Sequence, residues 1–171
     1  MKLPRISNSI YKKLIFLILF FYGEVSFSQP ILPKKELTVL ASQQLYFGLF
    51  FDYNGSGGTI SIDWQGNRTS TGSIVLLPHY PGTPAFFAVK LCQGRNVIIT
   101  YAPSVYLTAT NGETMRLDIG PTEKGVSGAV FASENNCNFT TILRVGGTLH
   151  IPSNSNPSIL NGDFEISFNQ Q

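Results

Sequence analysis

The chain is poor in the residues that do chemistry. Its 171 residues include two histidines, two cysteines and one tryptophan, and Asp, Glu, Lys and Arg together make up 13%. No CxxC, HxxxH or EF-hand spacing occurs, so neither a dedicated metal site nor a cofactor is expected. The Gly55-Ser56-Gly57-Gly58 run lacks a following lysine and precedes a strand pattern instead of opening a helix, which makes it a turn and not a phosphate cradle. No nucleophile elbow is present. Asp52, Asp63, Asp118, Glu134 and Asp163 stand singly, whereas a glycosidase holds two carboxylates about 5–10 Å apart. His79 lies in a Pro-His-Tyr-Pro-Gly turn, and His150 alternates with apolar neighbours on a strand. A chain without catalytic activity is expected. A deep pocket joining either histidine to a carboxylate would reverse that expectation.

Long apolar runs are missing too. The longest opening run, Leu14–Tyr22, has nine residues, against roughly 20 for a membrane span. It follows Lys2, Arg5, Lys12 and Lys13 and precedes small residues at Ser26 and Ser28. That is the layout of a secretory signal peptide over residues 1–28. The leader takes four of the twelve basic residues and one of the ten acidic ones, leaving eight against nine in the remaining 143. The exported part is therefore close to neutral. Arg68, Lys90, Arg95, Arg116, Lys124 and Arg144 are scattered singly, which argues against nucleic acid as a partner, and no membrane span is expected after cleavage. Export is expected to the periplasm, the outer surface or the medium.

What is present reads as strands and turns. No segment after the leader keeps a helical period. Short runs rich in Val, Ile, Thr, Phe and Tyr recur between Gly, Asn, Pro and Ser. Candidate strands are Glu36–Ala41, Gln44–Phe51, Thr59–Trp64, Gly72–Leu77, Ala85–Leu91, Val97–Ala102, Val105–Thr110, Thr114–Ile119, Val130–Phe131, Phe139–Val145, Thr148–Ile151 and Asp163–Asn169. The nearly continuous apolar runs Ala85–Leu91 and Val97–Ala102 suggest burial on both faces or a place at the centre of a sandwich. Asn111-Gly112 is a strong hairpin signal. After a flexible lead at 29–35, residues 36–171 make one all-β domain. An antiparallel β-sandwich of about ten short strands, immunoglobulin-like or pilin-like, buries one face of each sheet.

Cys92 and Cys137 both fall in the exported part, where an even pair reads as a disulfide. Closing the loop between them would contribute about 4 kcal/mol on the chain-entropy view, with two free buried thiols as the alternative. Among the aromatics, Tyr53, Trp64 and Tyr80 lie near turns and are candidates for stacking against a sugar ring; core packing is the other role open to them.

Several segments carry a resemblance: LYFG (45–48), GGTISI from Gly57, GNRTSTGSIVLL (66–77), AFFAV (85–89), VGGTLHIP (145–152) and NGDFEISFN (161–169). Together they resemble the bacterial family of secreted domains of unknown function 4402, similar in layout to pilin-like and spore-coat-U-like domains. The resemblance implies a fimbrial or other surface structural role. It also suggests self-association by β-strand addition, with Leu37, Val39 and Ala41 as the alternating face of a candidate donor strand. The alternative is that Glu36–Ala41 pairs within its own domain. A carbohydrate-binding module using exposed aromatics is a further alternative, with a glycan as partner.

Overall fold

The computed structural model describes residues 36–92, 96–134 and 136–171, and these contain thirteen β-strands and no helix. The expected signal peptide and the lead at 29–35 lie outside the described residues. No helix among those described is long and apolar enough to cross a membrane.

The large sheet is organised by one strand, β11 (Thr141–Ile151). It fuses two runs expected to be separate strands, Phe139–Val145 and Thr148–Ile151, through Gly146 and Gly147. Its first half pairs antiparallel with β6 (Ala85–Cys92), Leu143 opposite Phe87. Its second half pairs on that same edge with β3 (Gly58–Ile62), Leu149 opposite Ile60. The other edge takes β9 (Thr114–Thr122), Leu149 opposite Leu117. The two glycines allow this crowding: a Cβ on Gly146 would stand 2.3 Å from the carbonyl oxygen of Ile62, and one on Gly147 2.9 Å from Leu45 Cδ2. Against β9 the strand bulges between Val145 and Gly147, as an extra unpaired residue requires.

Outward from this centre, β8 (Ser104–Ala109) pairs with β9 across the Asn111-Gly112 turn, and β12 (Leu160–Asn161) pairs with β8. β1 (Glu36–Gln43) lies on the far edge of β6, and β4 (Arg68–Ser70) on β3. A second sheet runs β10 (Val130–Ala132), β7 (Asn96–Tyr101), β13 (Ile166–Gln170). β2 (Phe50–Asp52) and β5 (Ile74–Leu76) form a separate antiparallel pair.

Of the two expectations for Val97–Ala102, burial on both faces or a place at the centre of the sandwich, the second fits: β7 is the middle strand of its sheet. Val97, Ile99 and Tyr101 are buried, whereas Thr100 is exposed. β7 belongs to a sheet with one face on the core and one in water, so its side chains alternate despite the apolar sequence. The core between the sheets holds Ile60, Ile62, Val89, Leu91, Ile99, Leu143 and Leu149, each at most 2% exposed. Burial of such a side chain contributes about 1.5–3 kcal/mol.

The position of the small sheet follows from three contacts. β13 stands over β6, because the Phe87 ring lies 6.2 Å from Phe164 and 5.9 Å from Phe168. β7 stands toward β9, because a Cβ on Gly120 would meet the Tyr101 hydroxyl at 2.6 Å. No described strand therefore covers β1. Its inward-facing Val39, opposite Val89, is 36% exposed. The sandwich is thus open along one side, between β1 in the large sheet and β13 in the small one. A Cys92–Cys137 disulfide ties the end of β6 to the segment between β10 and β11.

Candidate functional site

The open side contains the candidate donor residues. Leu37, Val39 and Ala41 sit on β1 opposite Leu91, Val89 and Phe87 of the same chain. No residue of β1 is buried, and Leu37 packs against the core only in part. Across the seam, Ile166 and Phe168 of β13, with Phe164 just before it, are also only partly buried against that core. Backbone pairing reaches β13 from β7 on one side. The inner faces of both edge strands are thus half-covered apolar surface.

The stacking candidates fall at two ends of the domain. Tyr53 follows β2 and is 65% exposed. Tyr80 is 51% exposed and follows β5, where Arg68 fixes its backbone. The Arg68 guanidinium donates to the carbonyls of Phe47 (2.9 Å), Tyr80 (2.8 Å) and Leu77 (2.8 Å), tying the segment before β2 and the turn after β5 to β4. Trp64 is half-buried in the turn after β3, at the Arg68 end. That turn is closed by Asp63, whose carboxylate accepts the amides of Gln65 and Asn67. Partial burial raises the Asp63 pKa, but the Asn67 side chain and the backbone amides more than offset this and hold it below the usual range. Tyr53 instead continues a strip on the β2–β5 pair formed by Leu49, Phe51 and Val75, each more than a third exposed.

Tyr53 leads into an Asp52-centred loop. The Asp52 carboxylate accepts from the Ser73 hydroxyl and from the amides of Gly57 (2.7 Å) and Gly55 (2.9 Å). Ser73 first, then the amides, lower its pKa against the opposing effect of burial. The loop presses on the segment after β11: Asn154 donates its amide to the Gly55 carbonyl at 2.8 Å. Asn154 adopts a left-handed φ of 58°, a conformation asparagine tolerates better than most residues.

Asn154 in turn lines a cleft of about 170 Å³ with Glu113, Thr114, Ser153 and Ser155. Glu113 belongs to the β8–β9 turn, and its carboxylate accepts from the Asn156 side-chain amide at 2.9 Å. The amides of Asn156 and then Asn111 hold its pKa below the ordinary value. Three loops, 53–57, 110–114 and 152–156, therefore meet at one end of the sandwich. Sequence reading singled out Tyr53, with Trp64 and Tyr80, as lying near turns, and missed Glu113 and Asn154. Only the strand register brings those two together.

The register also joins two residues that looked solitary. His150 Nε2 lies 2.7 Å from Asp118 Oδ2, and Arg116 Nε donates to Asp118 Oδ1 at 2.7 Å. Partial burial raises the Asp118 pKa, but His150 and Arg116 together outweigh it and the net shift is downward. The trio lies on the outer face of the large sheet, His150 40% and Asp118 31% exposed, and not in a deep pocket. His79 is exposed in its turn. Among the described residues no group of three or more His, Cys, Asp or Glu could hold a metal ion.

No curated protein and no solved structure matches the chain. The sequence profile of one family does, from the second residue of β1 to the penultimate residue of β13. With residues 37–169 matched, the chain belongs to the family described as Domain of unknown function (DUF4402).

Proposed function

We propose that this chain is an exported, non-catalytic structural or adhesive protein of a bacterial surface, a fimbrial-type subunit that associates with further copies by β-strand addition. What supports the reading is the open side of the sandwich between β1 and β13, where two edge strands present half-covered apolar side chains. An added strand there gains main-chain hydrogen bonds from an edge and pockets for alternate side chains. β1 is the donor, through Leu37, Val39 and Ala41. It pairs with β6 alone and contributes no fully buried side chain, so its transfer to a neighbour disturbs its own domain least. Size-exclusion chromatography with light scattering on residues 29–171, without reductant and over a concentration series, tests this. Heat-resistant multimers that a Leu37→Asp variant fails to form are expected. A monomer at every concentration, or unchanged association of the variant, removes the reading.

A second reading, a carbohydrate-binding module, is favoured by the exposure of Tyr53 and Tyr80. Amphipathic rings held at the surface stack on the apolar faces of sugars while their hydroxyls stay in water.

A further inference from the structure

We infer that the outer edge of β1 is a docking site for the same edge of a second copy, the two strands pairing antiparallel about a two-fold axis at Val39. This goes beyond the strand transfer proposed above. Here β1 stays paired with β6 in its own sheet and offers only the edge that faces away from it.

An unpaired strand edge is a template for another strand. Among the described strands β1 is the longest at the margin of a sheet, with eight residues. The other marginal strands of the two larger sheets are shorter: β12 has two residues, β4 and β10 three each, and β13 five. Shortness is one protection of an edge, and charge, proline and bulges are the others. β1 carries Glu36 at its first position and a bulge between Ala41 and Gln43 at its end. The run between them, Leu37–Ala41, has no charge, no proline and no bulge.

The symmetry of that run singles out a second β1 as the occupant. Successive side chains take opposite faces, and directly opposite residues share one. A strand pairing with itself must therefore match odd positions with odd and even with even. The register centred on Val39 sets Val39 against its own copy, Leu37 against Ala41 and Thr38 against Leu40. Glu36 falls opposite Ser42, so no like charges meet. This register uses the strand up to its bulge, whereas one centred on Leu40 would carry Leu37 across the bulge onto Gln43. On the inner face a large side chain meets a small one at each end, and two β-branched residues meet at the axis. Val39 and Leu40, 36% and 64% exposed, both lose contact with water. Joining the β1 edges also brings the open sides of the two sandwiches together, with the half-covered Ile166 and Phe168 of each along the junction. Such an isologous contact closes at two copies.

The test is a charge swap at the axis. Val39→Lys and Val39→Glu, each made in residues 29–171, set like charges directly opposite one another at pH 7, which is destabilising. In sedimentation equilibrium the parent should be a dimer, and each variant alone should associate at least about tenfold more weakly. Mixed in equal amounts, lysine opposite glutamate, they should recover the dimer. Circular dichroism should show both variants folded, since Val39 is not a buried side chain. Amide exchange of the parent needs no variant: protection within residues 37–41 should rise with protein concentration. A mixture no more associated than its components would overturn the inference and leave strand transfer standing, because a transferred β1 sets Val39 against Val89 and not against its own copy. Parent multimers that neither variant weakens would do the same. Parent dimers in which residues 37–41 exchange independently of concentration would also refute it. A parent that is monomeric at every concentration would overturn both.

Discussion

Gly146→Ala is the sharpest test of how the large sheet is built. The new Cβ would lie 2.3 Å from the Ile62 carbonyl oxygen, a contact that real Cβ atoms do not make below about 3.0 Å, so that oxygen must retreat by at least 0.7 Å. Moving that oxygen alone does not suffice, because the same Cβ also lies 3.0 and 3.1 Å from the carbonyl carbon and Cα of Asp63. Asp63 anchors the next turn, and Ile62 is itself 2% exposed in the core. Overpacking of this kind costs about 3 kcal/mol. The alanine stabilises by about 0.7 kcal/mol through a less flexible unfolded chain. A net loss of about 2 kcal/mol, at 2–4 °C per kcal/mol for a domain of this size, lowers the melting temperature by about 4–8 °C. Thermal unfolding followed by circular dichroism measures it. Gly112→Ala is the control: nothing lies within 4 Å of its Cβ, and its φ of +87° leaves only a backbone cost of about 1 kcal/mol. If Gly146→Ala melts as high as the parent, or above Gly112→Ala, the crowding argument is wrong.

Leu143→Ala, at a fully buried position, should lose about 2–5 kcal/mol in urea unfolding; a loss below 1 kcal/mol would contradict its central place. Replacing Cys92 and Cys137 together by alanine should cost about 2–4 kcal/mol and leave stability insensitive to reductant. Arg68→Lys should destabilise by about 2 kcal/mol, because a point charge cannot serve three carbonyls in a fork; rescue by lysine would show that charge and not geometry matters. Asp52, Asp63, Glu113 and Asp118 all have pKa values depressed by folding. The unfolded chain therefore binds their protons first, so their contribution is complete above about pH 4.5 and fades as pH falls through the folded values. Unfolding midpoints that stay constant from pH 6 to 3 would refute this. Tyr101 is shifted upward by burial, so its contribution holds below about pH 10 and is lost at higher pH.

The all-β class, the Asn111-Gly112 hairpin and most strand centres were legible because alternation is a local property. Three features were not. β4 is Arg68-Thr69-Ser70, three polar residues that form a strand only because β3 offers an edge and Arg68 has carbonyls to reach. Gly146-Gly147 reads as a break between two strands, yet it is where the longest strand is most crowded, since glycine marks close backbone approach as well as turns. The pairing of His150 with Asp118, and of Asn154 with Glu113 around one cleft, depends on registers between segments 30 to 40 residues apart. Alternation says which face a side chain takes and nothing about its cross-strand neighbour.

The central position of β11 also sets a timetable. Leu149 lies 89 positions after Ile60, its partner on β3. β6 and β9 await the same strand. Until ribosomal synthesis reaches residue 151, pairs such as β3–β4, β1–β6 and β8–β9 form without the strand that joins them. At about 5–20 residues per second that delay is roughly 4–18 s. For most of its time as a nascent chain this sequence has no centre to fold around.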